Sequence, residues 1–129
     1  MPQSLLATGF PFRVPHLMKE HLSLFTELLS KCADIRRPGA AAVDLCYTAA
    51  GVFDGFWEFD LFPWDVAAGG LVIKEAGGLV TGLDGSGDYM TTGDILAGNQ
   101  TIFEELSETV KRNLRHLQMP RPVDKGPSR

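Results

Sequence analysis

Surplus positive charge, long uncharged runs, clustered histidines and paired cysteines are all scarce in this chain of 129 residues, and each shortage closes off a class of function. Lys and Arg number 12 against 16 Asp and Glu, a formal net charge of −4 with a sequence pI near 5.3. That balance offers no basic footprint for a phosphate backbone, and no nucleic-acid partner is expected. The longest charge-free stretch, Met1 to Phe12, is interrupted by Pro2 and Pro11. It falls well short of the roughly 20 apolar residues a spanning helix needs, so no membrane span is expected. The first basic residue is Arg13, so the positively charged start of a secretory leader is missing and a cytoplasmic location is expected. Cys32 and Cys46 stand in helix-like segments without a second Cys or His at metal spacing. They read as buried, reduced thiols rather than a disulfide or a zinc site. His16, His21 and His116 form no cluster, and neither a nucleophile elbow nor a phosphate-cradling glycine loop occurs. The run Asp84-Gly85-Ser86-Gly87-Asp88 lacks the ligand spacing and closing Glu of a calcium loop.

What is present is an ordinary globular composition, 44% hydrophobic and 22% charged, in a length that suits one domain. Strand and helix signals alternate. Ser4 to Thr8 is a short apolar strand stopped by Gly9 and Pro11. From Met18 to Cys32 the apolar residues recur at helical spacing. Ile35 to Arg37 reads as a brief strand, Ala40 to Ala50 as a helix ending on Gly51, and Val52 to Phe59 as an aromatic β segment. Asp65 to Ala76 has helix length. Its Gly69 and Gly70 each cost about 1 kcal/mol relative to Ala, which predicts a close approach by a neighbouring element. Leu79 to Thr81 and Ile95 to Gly98 are further strands, with a polar loop from Asp84 to Asp94 between them. In the last helix Phe103, Leu106, Val110, Leu114 and Leu117 form the apolar stripe, and Asn99 or Thr101 can cap it, Thr101 and Glu104 having capping-box spacing. The expected fold class is α/β, a layered parallel or mixed sheet with helices on both faces. Residues 1–117 are expected to form one domain and 118–129 a flexible tail.

Carboxylates concentrate at Glu58, Asp60 and Asp65, among large apolar residues at a strand-to-helix junction. Buried acids are costly unless they are paired, hydrogen-bonded or bound to metal. Asp65 reads either as a helix N-cap or as a metal or catalytic residue, and Glu58 either as a polar strand residue or as a ligand contact. Gly39, Ala40 and Ala41 open a helix whose N–H groups attract anions or hydroxyls, or else pack closely against a neighbour. Asp44 and Asp54 read as structural, through bonds to backbone. Trp57 and Trp64 read as core.

Phe62-Pro63-Trp64-Asp65-Val66-Ala67-Ala68-Gly69, followed by Lys74-Glu75-Ala76-Gly77-Gly78, resembles the C-terminal signature of the inositol monophosphatase family. Gly39 to Cys46, Asp54 to Glu58 and Ile95 to Asn99 match the same family in order, so the resemblance runs from about Leu5 to Leu117. It implies a Mg²⁺-dependent phosphomonoesterase of layered α-β-α-β-α architecture, of which this chain resembles the C-terminal half. It further implies that Asp65 ligates Mg²⁺, that Glu58 contacts a polyol hydroxyl, and that Gly39, Ala40 and Ala41 lie against the substrate. Ala40 departs from the Ser or Thr often found there, which removes any hydroxyl-mediated contact.

The family's Gly-Glu-Glu-type segment and Asp-Pro-Ile-Asp-Gly-Thr motif do not occur here. Metal-assisted phosphate hydrolysis needs more than one close ligand set, and one aspartate cannot supply it. The expectation is therefore a truncated or split member, inert by itself, whose family activity is hydrolysis of inositol phosphate or a similar polyol phosphate. Two alternatives stand beside it: a non-catalytic α/β interaction module, and a fragment of a fructose bisphosphatase or nucleotide phosphatase relative. The expected partner besides a small phosphate monoester is the missing N-terminal half or a second copy. The bare surface is expected around Phe53, Phe56, Trp57, Phe59, Phe62 and Trp64.

Overall fold

The computed structural model describes residues 1–119 and residue 121. Its elements are β1 (Leu5–Thr8), α1 (Met18–Lys31), β2 (Asp34–Arg36), α2 (Ala41–Ala49), β3 (Gly55–Glu58), α3 (Pro63–Glu75), β4 (Leu79–Gly82), α4 (Tyr89–Thr92), β5 (Ile95–Gly98) and α5 (Phe103–Leu114). A single 3-10 turn, Pro15–Leu17, leads into α1. The strands form one five-stranded sheet in the order β2-β1-β3-β5-β4. β1 runs parallel to β2 and to β3, while β5 is antiparallel to both β3 and β4. The sheet is mixed.

Side chains on a strand alternate between faces, so each buried strand supplies two cores. Leu6, Trp57 and Leu96 point to one side and pack with Leu24 and Leu28 of α1 and Leu106 and Val110 of α5. Ala7, Phe56 and Ala97 point to the other, against Leu45 of α2 and Val66 and Ile73 of α3. The α/β layering with helices on both faces follows directly from that alternation. The glycines of α3 meet the close approach their cost predicts. A Cβ at Gly69 would lie 2.6 Å from Leu45 Cβ, and one at Gly70 would lie 2.8 Å from the Tyr89 hydroxyl. α2 and α3 therefore sit side by side with almost no space between them.

Several local expectations need correction. α3 begins at Pro63 rather than Asp65, because Pro suits the first helical position, where its missing N–H costs nothing. β3 begins only at Gly55: Asp54 breaks away to accept from the Leu5 N–H (2.8 Å) and from Asn99 Nδ2 (3.0 Å). The Thr101–Glu104 capping box does not form, since α5 starts at Phe103 and Asn99 Oδ1 instead accepts from the Ile102 N–H at 3.1 Å. The Asp84–Asp94 loop contains the short helix α4, which ends on left-handed Gly93. Both cysteines are free, but Cys46 is exposed on the outward side of α2 and Cys32 is half-buried.

The expected bare surface is elsewhere. Phe53, Phe56, Trp57, Phe59 and Phe62 are buried, because this chain's own helices cover both faces of β3; of that group only Trp64 is open, at 61%. The outward residues of α2 and α3 carry the uncharged surface instead, among them Val43, Cys46, Tyr47, Trp64, Leu71 and Val72. α1 and α5 face outward with charge, as Lys19, Glu104, Glu108 and Lys111 illustrate. Of the expected tail, Pro120 and residues 122–129 lie outside the described residues, whereas Met119 packs on the α1–α5 core and Arg121 pairs with Asp94. No helix among the described residues is long and apolar enough to cross a membrane.

Candidate functional site

Glu58 closes β3, opposite Ile95 of β5, and is half-buried. Its carboxylate lies against the backbone of Gly9, just beyond β1: a Cβ at Gly9 would stand 2.4 Å from Oε1 and 2.7 Å from Oε2. The ends of these two strands are tied together by Thr8, whose hydroxyl donates to the Trp57 carbonyl at 2.8 Å. Asp65 sits in the first turn of α3 as its third residue rather than its cap. Its Oδ2 accepts from the Phe62 N–H at 2.9 Å, and its own N–H donates to the Phe62 carbonyl at 2.9 Å. Gly39 takes a left-handed φ of 92°, which turns the chain into α2. Ala40 is the N-cap of α2 and has no side-chain oxygen to satisfy the first-turn N–H groups.

These pieces meet. Gly39, Ala40, Ala41, Glu58 and Asp65 all line one cleft of about 480 Å³, together with Gly9 to Arg13, Arg37, Asp60 and Trp64. Two arginines in that lining had no signal in the sequence. The Arg13 guanidinium lies 4.3 Å from the Phe62 ring centroid, hydrogen-bonds the Asp60 carbonyl, and approaches Asp60 Oδ2 at 3.4 Å. Arg37 lies beside the rings of Phe10 and Phe12, at 5.9 and 5.5 Å. Trp64 stacks on Phe62, with ring centroids 4.7 Å apart and ring planes nearly parallel. The walls thus offer carboxylates, guanidinium groups and exposed ring faces, a set able to bind an anionic, hydroxylated small molecule.

One turn into α2, Asp44 is 1% exposed, and neither carboxylate oxygen has a hydrogen-bond partner among the described residues. Burial pushes its carboxyl up to about 6, against the pull of the nearby Arg37 charge. The backbone bonds expected of Asp44 are absent from its side chain, while those expected of Asp54 are made.

Among the described residues no group of three or more His, Cys, Asp and Glu side chains could hold a metal ion. Mg²⁺ requires near-octahedral oxygen ligation. The described side chains do not by themselves make up such a set of ligands.

A mixed sheet covered by helices on both faces, with acids and arginines converging at the strand ends and helix starts, defines an α/β protein with a polar cleft. The chain belongs to the inositol monophosphatase family, a family of phosphatases, whose model matches residues 1–115. It is 45% identical over 117 residues to the Nus factor SuhB of Escherichia coli K12, covering 84% of this chain and 44% of that protein. A crystal structure of the extragenic suppressor protein SuhB from Bartonella henselae superposes with a TM-score of 0.81 at 40% identity, over 86% of this chain and 42% of that one. The inositol monophosphatase of Anabaena (Nostoc) gives a TM-score of 0.80 at 39% identity, covering 86% and 46%. The chain spans less than half the length of the relatives it matches.

Proposed function

We propose that this chain is the C-terminal part of a Mg²⁺-dependent phosphomonoesterase acting on inositol phosphate or a similar polyol phosphate, inert until a second polypeptide segment completes the site. The observation that carries this reading is the meeting of Gly39, Ala40, Ala41, Glu58 and Asp65 around one cleft in a member of this family. In this reading Asp65 supplies one oxygen ligand to the ion, and Glu58 accepts from a substrate hydroxyl. The first turn of α2 and Arg37 face the anionic end. Bound Mg²⁺ would supply Lewis-acid stabilisation of the phosphate, with its remaining ligands coming from outside this chain.

The uncharged outward face of α2 and α3 supports a missing segment rather than a self-sufficient monomer. The outward sides of α2 and α3 are largely uncharged until Lys74 and Glu75 close α3, whereas α1 and α5 carry charge along their outward sides, and an exposed apolar patch of this kind marks an interaction site. The reading places the completing segment on that face, in the cytoplasm.

The test combines this chain with the segment of E. coli SuhB that it does not cover. The chain alone with inositol phosphate and Mg²⁺ should show no turnover, and the mixture should show turnover that is lost with Asp65→Asn. Asn keeps an oxygen to accept from the Phe62 N–H, so the melting temperature should barely move. A mixture that assembles without turnover would favour the non-catalytic interaction module.

A further inference from the structure

The four residues between Glu58 and the start of α3, Phe59 to Phe62, set the spacing of the two carboxylates that face the cleft. Asp60 within them is, among the described residues, the only non-glycine residue with a left-handed φ, 62°. Such a conformation costs roughly 1–2 kcal/mol for an L-residue and persists when its surroundings over-determine it. Here they do. The Asp60 N–H donates to Asp94 Oδ1 at 3.0 Å, and the Leu61 N–H donates to the Gly93 carbonyl at 2.9 Å. Asp94 is 1% exposed, in the connection between α4 and β5. Its two oxygens receive a guanidinium fork from Arg121, Nε to Oδ2 at 2.8 Å and Nη2 to Oδ1 at 2.6 Å. The same Nη2 lies 3.7 Å from Asp60 Oδ1, and the guanidinium carbon is 5.8 Å from the Phe59 ring centroid.

We propose that Arg121, six residues beyond the part of the chain matched by the family model, is a positioning residue for the cleft. It is the cation that allows two nearly buried carboxylates, Asp60 and Asp94, to stand together and hold the Phe59–Phe62 loop in its left-handed turn. Without it, two like charges face each other out of water, and breaking a buried pair on one side costs more than deleting both partners. Arg13 neutralises Asp60 from the outer side but makes no contact with Asp94. The significance of the loop rests on the reading of Glu58 and Asp65 as site residues. The test reads loop geometry and not turnover, so the two ideas fail separately.

The chain carries two tryptophans, Trp64 stacked on the loop residue Phe62 and Trp57 in the core, which serve as reporter and internal control. In Arg121→Gln, amide exchange at Asp60 and Leu61 should quicken by about tenfold or more. The Trp64 indole N–H resonance should shift. Amides of Phe56 and Leu96 in the β3–β5 ladder and the Trp57 indole should keep their wild-type values. Arg121→Lys, which preserves the charge without the fork, should restore part of the protection. The double variant Arg121→Gln, Asp94→Asn should restore most of it, since Asn still accepts from the Asp60 N–H without a buried charge. Unchanged exchange at Asp60 and Leu61 would overturn the proposal. So would a joint loss at the ladder and at Trp57, which would make Arg121 a general stabiliser. Should Arg121→Gln fail to fold, the double variant decides: no recovery in it refutes charge pairing as the device.

Discussion

Asp44 and His21 should contribute opposing pH dependences of stability that largely cancel between pH 4 and 6, and removing either should expose the other. Asp44 is buried without a hydrogen-bond partner among the described residues, and its carboxyl is raised from 3.8 to about 6 by burial. Ionising it in the folded chain therefore costs roughly 3 kcal/mol more than in the unfolded chain. Between pH 3.8 and 6 the folded state holds the proton more tightly, so this contribution to stability falls as pH rises and is fully lost above 6. His21 has the opposite sign. It is fully buried among Phe10, Phe25 and Trp57, neither ring nitrogen has a hydrogen-bond partner among the described residues, and burial lowers it from 6.5 to about 4. The unfolded state takes up its proton first, so stability is complete above 6.5 and falls by roughly 3 kcal/mol as pH drops through that window.

The two slopes overlap and oppose. Asp44→Asn should leave a profile that climbs by about 3 kcal/mol from pH 4 to 6.5, the His21 contribution alone. At pH 7 the variant should be more stable than the parent by roughly 1–2 kcal/mol, because the removed charge outweighs the new unpaired amide donors. His21→Phe should give the mirror image, falling from pH 4 to 6, and the double variant should be flat. Urea unfolding at constant ionic strength across pH 4 to 7 measures all four. An Asp44→Asn profile superimposable on the parent's, or a loss of stability at pH 7, would refute the reasoning.

Three further outcomes concern α2, α3 and the turn that follows α3. Gly69→Ala puts a methyl group 2.6 Å from Leu45 Cβ, an atom fixed to the helix backbone, and should destabilise the chain by about 1–3 kcal/mol in the same unfolding assay. Gly77→Ala, where a Cβ meets nothing within 4 Å, should lose only the roughly 1 kcal/mol of its left-handed turn. Exposed Cys46 should react with a maleimide at the rate of a free peptide thiol in the isolated chain, and at least tenfold more slowly once the completing segment is bound. Equal rates in both states would place the completing segment on another face.

Local pattern made most of the fold legible. The apolar runs at Leu5 and Ile95 and the helical spacing from Met18 give their elements within a residue or two, and the cost of Gly69 and Gly70 announced the contact that Leu45 and Tyr89 make. The cleft was half legible. Glu58, Asp65 and Gly39 stand in motifs short enough to be read in a line. Arg13 reaches Asp60 across 47 residues and Arg121 reaches Asp94 across 27, and no periodicity carries such pairings. The aromatic run at β3 misled for a related reason. Composition says that Phe56 and Trp57 are buried, but only the topology says that α2, α3, α1 and α5 of this same chain bury them.

The cleft and the uncharged face are consequences of one packing choice. α2 starts after Ala40 and α3 starts at Pro63, so the first turns of both helices open onto the cleft while their outward sides form the bare surface. What fixes the distance between those two starts is the contact of Leu45 with Gly69, four residues after Ala41 and four after Asp65. A side chain at Gly69 would push the helices apart one turn from their beginnings, and Asp65 would move relative to Gly39, Ala40 and Ala41 by a comparable amount. The glycine that looks costly within α3 is thus the element that sets the width of the cleft. Because the pair is packed to contact, a segment seated on its outer face meets an already rigid frame and has no need to assemble one.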